Sequence, residues 1–452
     1  MQGFAGDRII QSDSNGTTAM KTRLFILSLA VLAAACAEKP EIPEPATGPE
    51  AAFAVMAPTP TTEVASLALH DRMLPLVNAG NTMSFRLLKQ LARETATTYV
   101  CSPLSLQLAL AMLANGAEGE TQAEILAALG YSENQLDVLN EYAKILSERL
   151  PALDLDVTLR SADALLVTDQ YPLKAGFANN LRDYYYAPAA AVPFSNGKYV
   201  MGLVNDWASR STEGLINPML DDVDPNTVAL LLNALYFKGK WQDDAGTPMF
   251  DPNATAKGVF HRSASTQTTV SYMSGSRMFR YADRGTYEIL AIPYASGKFY
   301  MYILLPKEID GLYAMLDTVI DTPWEEVLPA PVNGPARINL LLPKFDVSGD
   351  FNLNIAVGGL GIRRIFDENQ AQFGPMFDVS GHGFYVSRVL QKARMSVAEW
   401  GTEAAAVTSI EVTEKGGMSP EKTIKADHPF VFVIAGKNDS VPILFGGVYT
   451  GV

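Results

Sequence analysis

The chain has 452 residues, 48% of them hydrophobic and 19% charged, which is enough apolar content to bury a large core. Its formal net charge of -14 opposes phosphate contacts and sets nucleic acid aside as a partner. Only Cys36 and Cys101 are present, so no internal disulfide framework is expected and stability rests on packing.

Met20-Lys21-Thr22-Arg23 is a basic start, Leu24 to Leu32 is an apolar run too short to span a bilayer, and Ala33-Ala34-Ala35 precede Cys36. The pattern predicts an export signal with translation starting at Met20. A cysteine after small residues is similar to a bacterial lipobox, with Ala33 where leucine is more usual. On that reading Cys36 is lipidated and becomes the mature N-terminus; the alternative is ordinary signal cleavage near it. Residues 1–36 are therefore assigned to a start extension and leader. Residues 37–66, with Pro40, Pro43, Pro45, Pro49, Pro58 and Pro60, are assigned to a semi-extended tether, and residues 67–452 to one folded domain.

Within the domain, Phe85, Leu88, Leu91 and Ala92 fall on one helical face. Ser102-Pro103 supplies an N-cap ahead of a helix over Leu104 to Leu113, which Gly116 ends. Thr121-Gln122-Ala123-Glu124 reads as a capping box opening a short helix to Gly130. Later, Val228 to Leu232, Phe299 to Leu305, Ile338 to Leu342, Phe430 to Ile434 and Ile443 to Phe445 are short apolar runs bounded by breakers, hence buried strands. Helices first and strands later predict an α+β fold with large, mostly antiparallel sheets. Cys101, between the Tyr99-Val100 strand and the Ser102 cap, is expected to be a buried, reduced thiol.

Enzyme constellations are scarce. His70, His261, His382 and His428 form no H-E-x-x-H pair and no cysteine-histidine spacing, so neither a metal nor another cofactor is expected. No G-x-S-x-G elbow occurs. Ser195-Asn196-Gly197-Lys198 matches the S-x-x-K pattern of penicillin-binding proteins, but about one such match arises by chance in a chain this rich in serine. It follows the strand-like Val192-Pro193-Phe194 instead of opening a helix, and it lacks a downstream K-T-G.

The segment Lys392-Ala393-Arg394-Met395-Ser396-Val397-Ala398-Glu399-Trp400-Gly401-Thr402-Glu403-Ala404-Ala405-Ala406-Val407-Thr408 resembles the strand and hinge that carry the reactive loop of serpins. Ala426-Asp427-His428-Pro429-Phe430 and Ile443-Leu444-Phe445-Gly446-Gly447-Val448 are similar to the strands after that loop. Ser102-Pro103-Leu104-Ser105, Gly116 to Thr121, Asn205-Asp206-Trp207, Asn233 to Trp241 and Leu342-Pro343-Lys344-Phe345 look like further family landmarks. The chain is identified as a member of the serpin family over the whole folded domain.

The resemblance implies a serpin fold with an exposed reactive-centre loop, and a suicide-substrate inhibitor of serine or also cysteine endopeptidases in place of an enzyme. It assigns Glu399, Gly401, Thr402, Glu403, Ala404, Ala405 and Ala406 to the hinge. Lys344 and Trp241 fall at the breach where insertion begins, with an ion pair between Lys344 and Glu399, and Ser102, Ser105, Asn233 and Gln391 fall in the polar shutter beneath the central sheet. Gln391 stands where serpins often carry histidine, so the pH behaviour of the shutter would differ. The implied partner is the target endopeptidase, held as a covalent acyl complex by a monomeric inhibitor. A membrane is expected through the lipid on Cys36, and secretion without it. The alternatives are a non-inhibitory serpin-fold binding lipoprotein, disfavoured by the small hinge residues, and an acyl-transfer enzyme using Ser195.

Loop insertion is implied by the resemblance, but the residues can test it. A loop that becomes a strand must place burial-tolerant side chains at alternate positions. One face reads Thr402, Ala404, Ala406, Thr408, Ile410 and Val412, all small or apolar, while Glu403 and Glu411 fall on the other, and no proline interrupts Glu399 to Ser419. About a dozen new ladder bonds at roughly 0.5 to 1.5 kcal/mol each, with side-chain burial, favour the inserted form by about 10 kcal/mol or more. Counting forward from the hinge gives Lys415-Gly416 as the scissile bond, and counting back from Pro429 gives Met418-Ser419. The first is preferred, because inserted length is measured from the hinge, and it favours a trypsin-like target.

Overall fold

The structure, a computed structural model, describes residues 48–59, 61–131, 135–241, 249–294, 296–329, 336–377, 383–402, 422–437 and 440–452, all within the compact unit Ala46–Val452. Cys36, the hinge residues Glu403 to Ala406 and the reactive-bond residues Lys415, Gly416, Met418 and Ser419 lie outside the described residues.

Helices crowd the first half: α1 (Pro49–Ala52), α2 (Leu74–Glu94), α3 (Pro103–Ala114), α4 (Gly119–Ala128), α5 (Leu136–Arg149), α6 (Ala175–Tyr185) and α7 (Gly197–Ser211), with α8 (Leu312–Ile320), α9 (Trp324–Val327) and α10 (Asn354–Gly359) later. Every residue of α3 is buried, as an all-round apolar helix must be. Its N-cap is Ser102, whose hydroxyl accepts the Ser105 N–H at 3.1 Å.

The expected capping box at Thr121 does not form. Helix α4 begins at Gly119, which takes a left-handed φ of 56°, and Thr121 is already its third residue. Its hydroxyl instead accepts the Gln372 N–H at 3.0 Å, and Glu124 accepts the N–H groups of Arg363 and Arg364 at 2.8 and 2.9 Å. A tertiary loop has taken both side chains that the local motif would have used.

Two sheets form among the described residues. The first runs in the order β1 (Tyr99–Cys101), β15 (Phe445–Tyr449), β14 (Phe430–Gly436), β8 (Phe299–Pro306), β7 (Tyr287–Pro293), β6 (Thr266–Asp283), β9 (Ala336–Pro343), β13 (Lys422–Lys425), with β5 (Asp251–Ser263) paired to β6. The second runs β10 (Phe345–Asn352), β11 (Arg388–Ala398), β12 (Gly401–Thr402), β4 (Ala229–Lys240), β2 (Thr158–Thr168), β3 (Ala189–Val192). Most pairings are antiparallel; β2 with β3, β4 with β11 and β9 with β13 are parallel.

The run at Ile443 to Phe445 is shifted, since the strand proper starts at Phe445. Ile443 donates its N–H to Asn81 Oδ1 at 2.9 Å, and Leu444 to Ile434 O at 2.8 Å, so both are buried as the lead-in. Strand β4 separates two apolar layers by alternation: Leu231, Leu235 and Phe237 join the main core, while Leu230, Leu232 and Ala234 face Trp207 and Val204 of α7. The free edge β10 alternates buried and exposed, and its Asp346 and Asp350 pair across the ladder with Arg394 and Lys392.

Cys101 ends β1 and is fully buried, and burial pushes its thiol well above the ordinary value. It is expected to stay unlabelled by a thiol reagent in the folded chain and to react in urea. Rapid modification of the native protein would contradict this.

Candidate functional site: the mouth of the central sheet

Strands β4 and β11 pair directly over only part of their length, from Arg388↔Leu230 to Ala393↔Leu235. Above that point β12 stands between them, with Gly401 and Thr402 opposite Ala398 and Val397 on one side and Lys240 and Gly239 on the other. The sheet is wedged at its top by two residues of the segment that leads into the loop. Gly401 has φ of 134°, and a Cβ there would meet Gly239 O at 2.1 Å, so only glycine fits this approach. Thr402 is fully buried, its hydroxyl 2.6 Å from that of Tyr294.

A latch closes over the wedge. Lys344 Nζ donates to Glu399 Oε2 at 2.9 Å, the pair expected from the resemblance, with the glutamate side chain 8% exposed and the lysine 47%. Thr255 donates its hydroxyl to Glu399 Oε1 at 2.8 Å, a partner that sequence reading did not find. Desolvation pushes the Glu399 carboxyl up, but the bonds from Lys344, its own backbone and Thr255 together hold it below the usual carboxylate range. Trp241 is buried beside this point, its backbone N–H donating to Trp400 O at 3.0 Å and its ring 5.9 Å from that of Tyr294.

Beneath the sheet, Ser102, Ser105, Asn233 and Gln391 meet as expected, all fully buried. Gln391 Oε1 accepts the Ser102 N–H at 2.8 Å, while its Nε2 donates to Ser102 O at 2.8 Å and to Asn233 Oδ1. The glutamine thus ties β11 to β4 and to the start of α3 without a titrating group. A titrating group is nevertheless present. Asp163 of β2, which sequence reading missed, accepts from Ser105 Oγ at 3.2 Å and from Asn233 Nδ2, and burial pushes its carboxyl up to about 8 against the lowering effect of those two bonds.

Ser195 and Lys198 sit where α7 begins, with Asn196 as the N-cap accepting from Tyr199 N–H at 3.4 Å. The S-x-x-K segment therefore does open a helix, contrary to the sequence reading. Both side chains are exposed, and no hydrogen bond joins them. Among the described residues no cluster of histidine, cysteine and carboxylates could hold a metal ion, and no helix is long and apolar enough to cross a membrane.

A partly wedged central sheet, a carboxylate latch and a polar knot under the same strands make one assembly, and the family profile described as serpin (serine protease inhibitor) matches residues 78–450. The chain belongs to the serpin family. Among its relatives, serine protease inhibitor 42Dd of Drosophila melanogaster is 33% identical over 76% of this chain and 90% of its own. Plasminogen activator inhibitor 1 of Neovison vison is 32% identical over 85% of this chain and 94% of its own. The native stressed conformation of Arabidopsis AtSerpin1 superposes with a TM-score of 0.73 at 27% identity, over 85% of this chain and 99% of that one. The α+β architecture is thus the serpin fold.

Two carboxylates in this serpin respond oppositely to pH. Glu399 has a depressed folded pKa, so its contribution is present above the unfolded carboxylate range and lost as pH falls through its folded value. Asp163 has a raised one, so its proton stabilises the fold fully below about pH 4 and that advantage is lost as pH rises to about 8. Asp163→Asn keeps both hydrogen-bond acceptances and removes the titration. Its denaturation midpoint is expected to vary less than the wild-type midpoint across that window, and parallel profiles would refute the assignment. Glu399→Ala is expected to cost about 1 kcal/mol, discounted because Lys344 is half exposed, and to speed spontaneous conversion to an inserted form on warming, followed on native gels.

Proposed function

We propose that this serpin inhibits serine endopeptidases by drawing its own cleaved loop into the slot between β4 and β11. The observation that carries the reading is the two-residue strand β12, already seated between those strands with Thr402 buried on the face that alternation assigns to the core. Residues that follow it on the same face, Ala404, Ala406, Thr408, Ile410 and Val412, are ones the same interior accepts. The chain is not an enzyme, and relatives named as serine protease inhibitor and plasminogen activator inhibitor support the same direction.

In this reading the protease serine attacks the Lys415 carbonyl, forming an ester as the Gly416 amine leaves. Insertion of the freed strand then carries the acyl-enzyme away and deforms it before water cleaves the ester. The Lys415 ammonium on its long stem suits a pocket with a carboxylate at its base, as in trypsin-like enzymes. Export through the leader at residues 20–36, with a lipid on Cys36, would display the inhibitor at a membrane surface.

Incubation with trypsin is expected to give a complex that survives boiling in SDS, and mass spectrometry of the released fragment to find Gly416 at its N-terminus. Lys415→Ala should abolish that complex. A fragment beginning at Ser419 moves the bond to Met418, and complex formation unchanged in the variant sinks the Lys415 assignment.

A further inference from the structure

A cleft of about 510 Å³ lies where the end of α2, the start of α8, the turn between β5 and β6 and the end of β15 meet, and none of its walls belongs to β4, β11 or β12. The buried part of its wall is apolar: Ala92 of α2, Leu312 of α8, Pro429, Val448 of β15, and Tyr99, whose hydroxyl is turned away to Leu88 O at 2.5 Å. Towards solvent the wall becomes polar, with Thr95, Thr266, Thr450, Asp310 and Tyr313. An apolar floor under a polar rim is the build of a small-molecule site.

One basic side chain lines the cleft, the half-buried Arg262 near the end of β5. Its Nε is fully buried and has no hydrogen-bond partner, and no ion pair joins its guanidinium to a described carboxylate. Arg284, by contrast, gives its Nε and Nη2 to the carbonyls of Val327 and Leu328 at 3.3 and 2.5 Å. The polar groups around Arg262 are engaged with one another or with backbone. Asp310 Oδ1 accepts the Ala264 N–H at 3.2 Å, the Tyr313 hydroxyl donates to Ala92 O at 2.7 Å, and that of Thr450 to Ala96 O at 3.4 Å. A donor removed from water without an acceptor is unfavourable, so Arg262 supplies an unmet demand for an anion inside the cleft. Nε–H and a neighbouring Nη–H stand side by side at the spacing of two carboxylate oxygens.

We infer that this cleft binds an amphipathic organic anion, its carboxylate on Arg262 and its apolar body against Ala92, Leu312 and Val448. A cationic amphiphile would leave the Arg262 Nε unpaired and add a like charge beside it. The walls come from segments far apart in sequence and meet only in the folded chain, so an occupant stabilises the fold. The site stands apart from the seam, and its test makes no use of protease inhibition.

Sodium decanoate, below its micellar concentration, is titrated into the intact protein by calorimetry, beside 1-decanol and decyltrimethylammonium, which share the apolar chain without the negative head. Decanoate is expected to saturate a single site and to raise the thermal midpoint, with the alcohol and the cation binding about tenfold more weakly or less. Arg262→Gln is expected to weaken decanoate about tenfold and to leave decanol unchanged, a split that a loss of packing alone would not give. Thr266→Trp, at an exposed position on the rim, is expected to obstruct the cleft and weaken both. Absence of saturable decanoate binding overturns the site, as does equal affinity for the cation. Decanoate binding that Arg262→Gln leaves unchanged refutes the role of the guanidinium, and binding that Thr266→Trp leaves unchanged puts the ligand elsewhere on the surface.

Discussion

The parallel pairing of β4 with β11 stops at Ala393↔Leu235, and the rest of the molecule is organised around that unfinished seam. Interior strands normally satisfy every ladder donor and acceptor, so strands wedged apart at their upper ends hold hydrogen-bonding capacity that a further strand could complete. Gly401 and Thr402 occupy the top of that seam. Gly401 adopts a backbone angle that side chains resist and lies against Gly239 O, and Thr402 turns its hydroxyl to Tyr294. The seam is neither closed nor freely open, because polar contacts hold it at both levels.

Those contacts differ in kind. At the top, Glu399 is an ionised acceptor held by Lys344 and Thr255, an interaction that acid removes. Underneath, Gln391 bridges β11, β4 and Ser102 by neutral bonds, so the position itself does not respond to pH. Asp163 carries the titration in its place, one strand further over, where Ser105 and Asn233 converge on a single carboxyl oxygen. A histidine bridging at position 391 would tie the breaking contact to pH directly; here the titrating group is bonded to Asn233 and reports on β2 and β4 moving together.

Sequence motifs carried the fold class, the Lys344–Glu399 ion pair and the meeting of Ser102, Ser105, Asn233 and Gln391, because each lies in a contiguous segment with family character. What stayed hidden needed contacts made by tertiary packing. Asp163 follows the polar pair Arg160-Ser161, a stretch that reads as solvated until α3 is laid over β2. Thr121 and Glu124 have capping-box spacing, yet loop residues Gln372, Arg363 and Arg364 claim them. The long hairpin of β5 and β6 escaped an apolar-run search because most of β5, from Asp251 to Ser263, is not buried.

The described part of the proline-rich stretch reads as a tether and yet packs through Phe53. Among residues 48–59 the one regular element is α1, with only four residues, as proline spacing there leads one to expect. Absence of regular structure is not absence of packing, however. One phenylalanine between Pro49 and Pro58 is enough to seat an irregular chain if a complementary aromatic surface is presented, and Trp207 with Val200 and Val204 presents one.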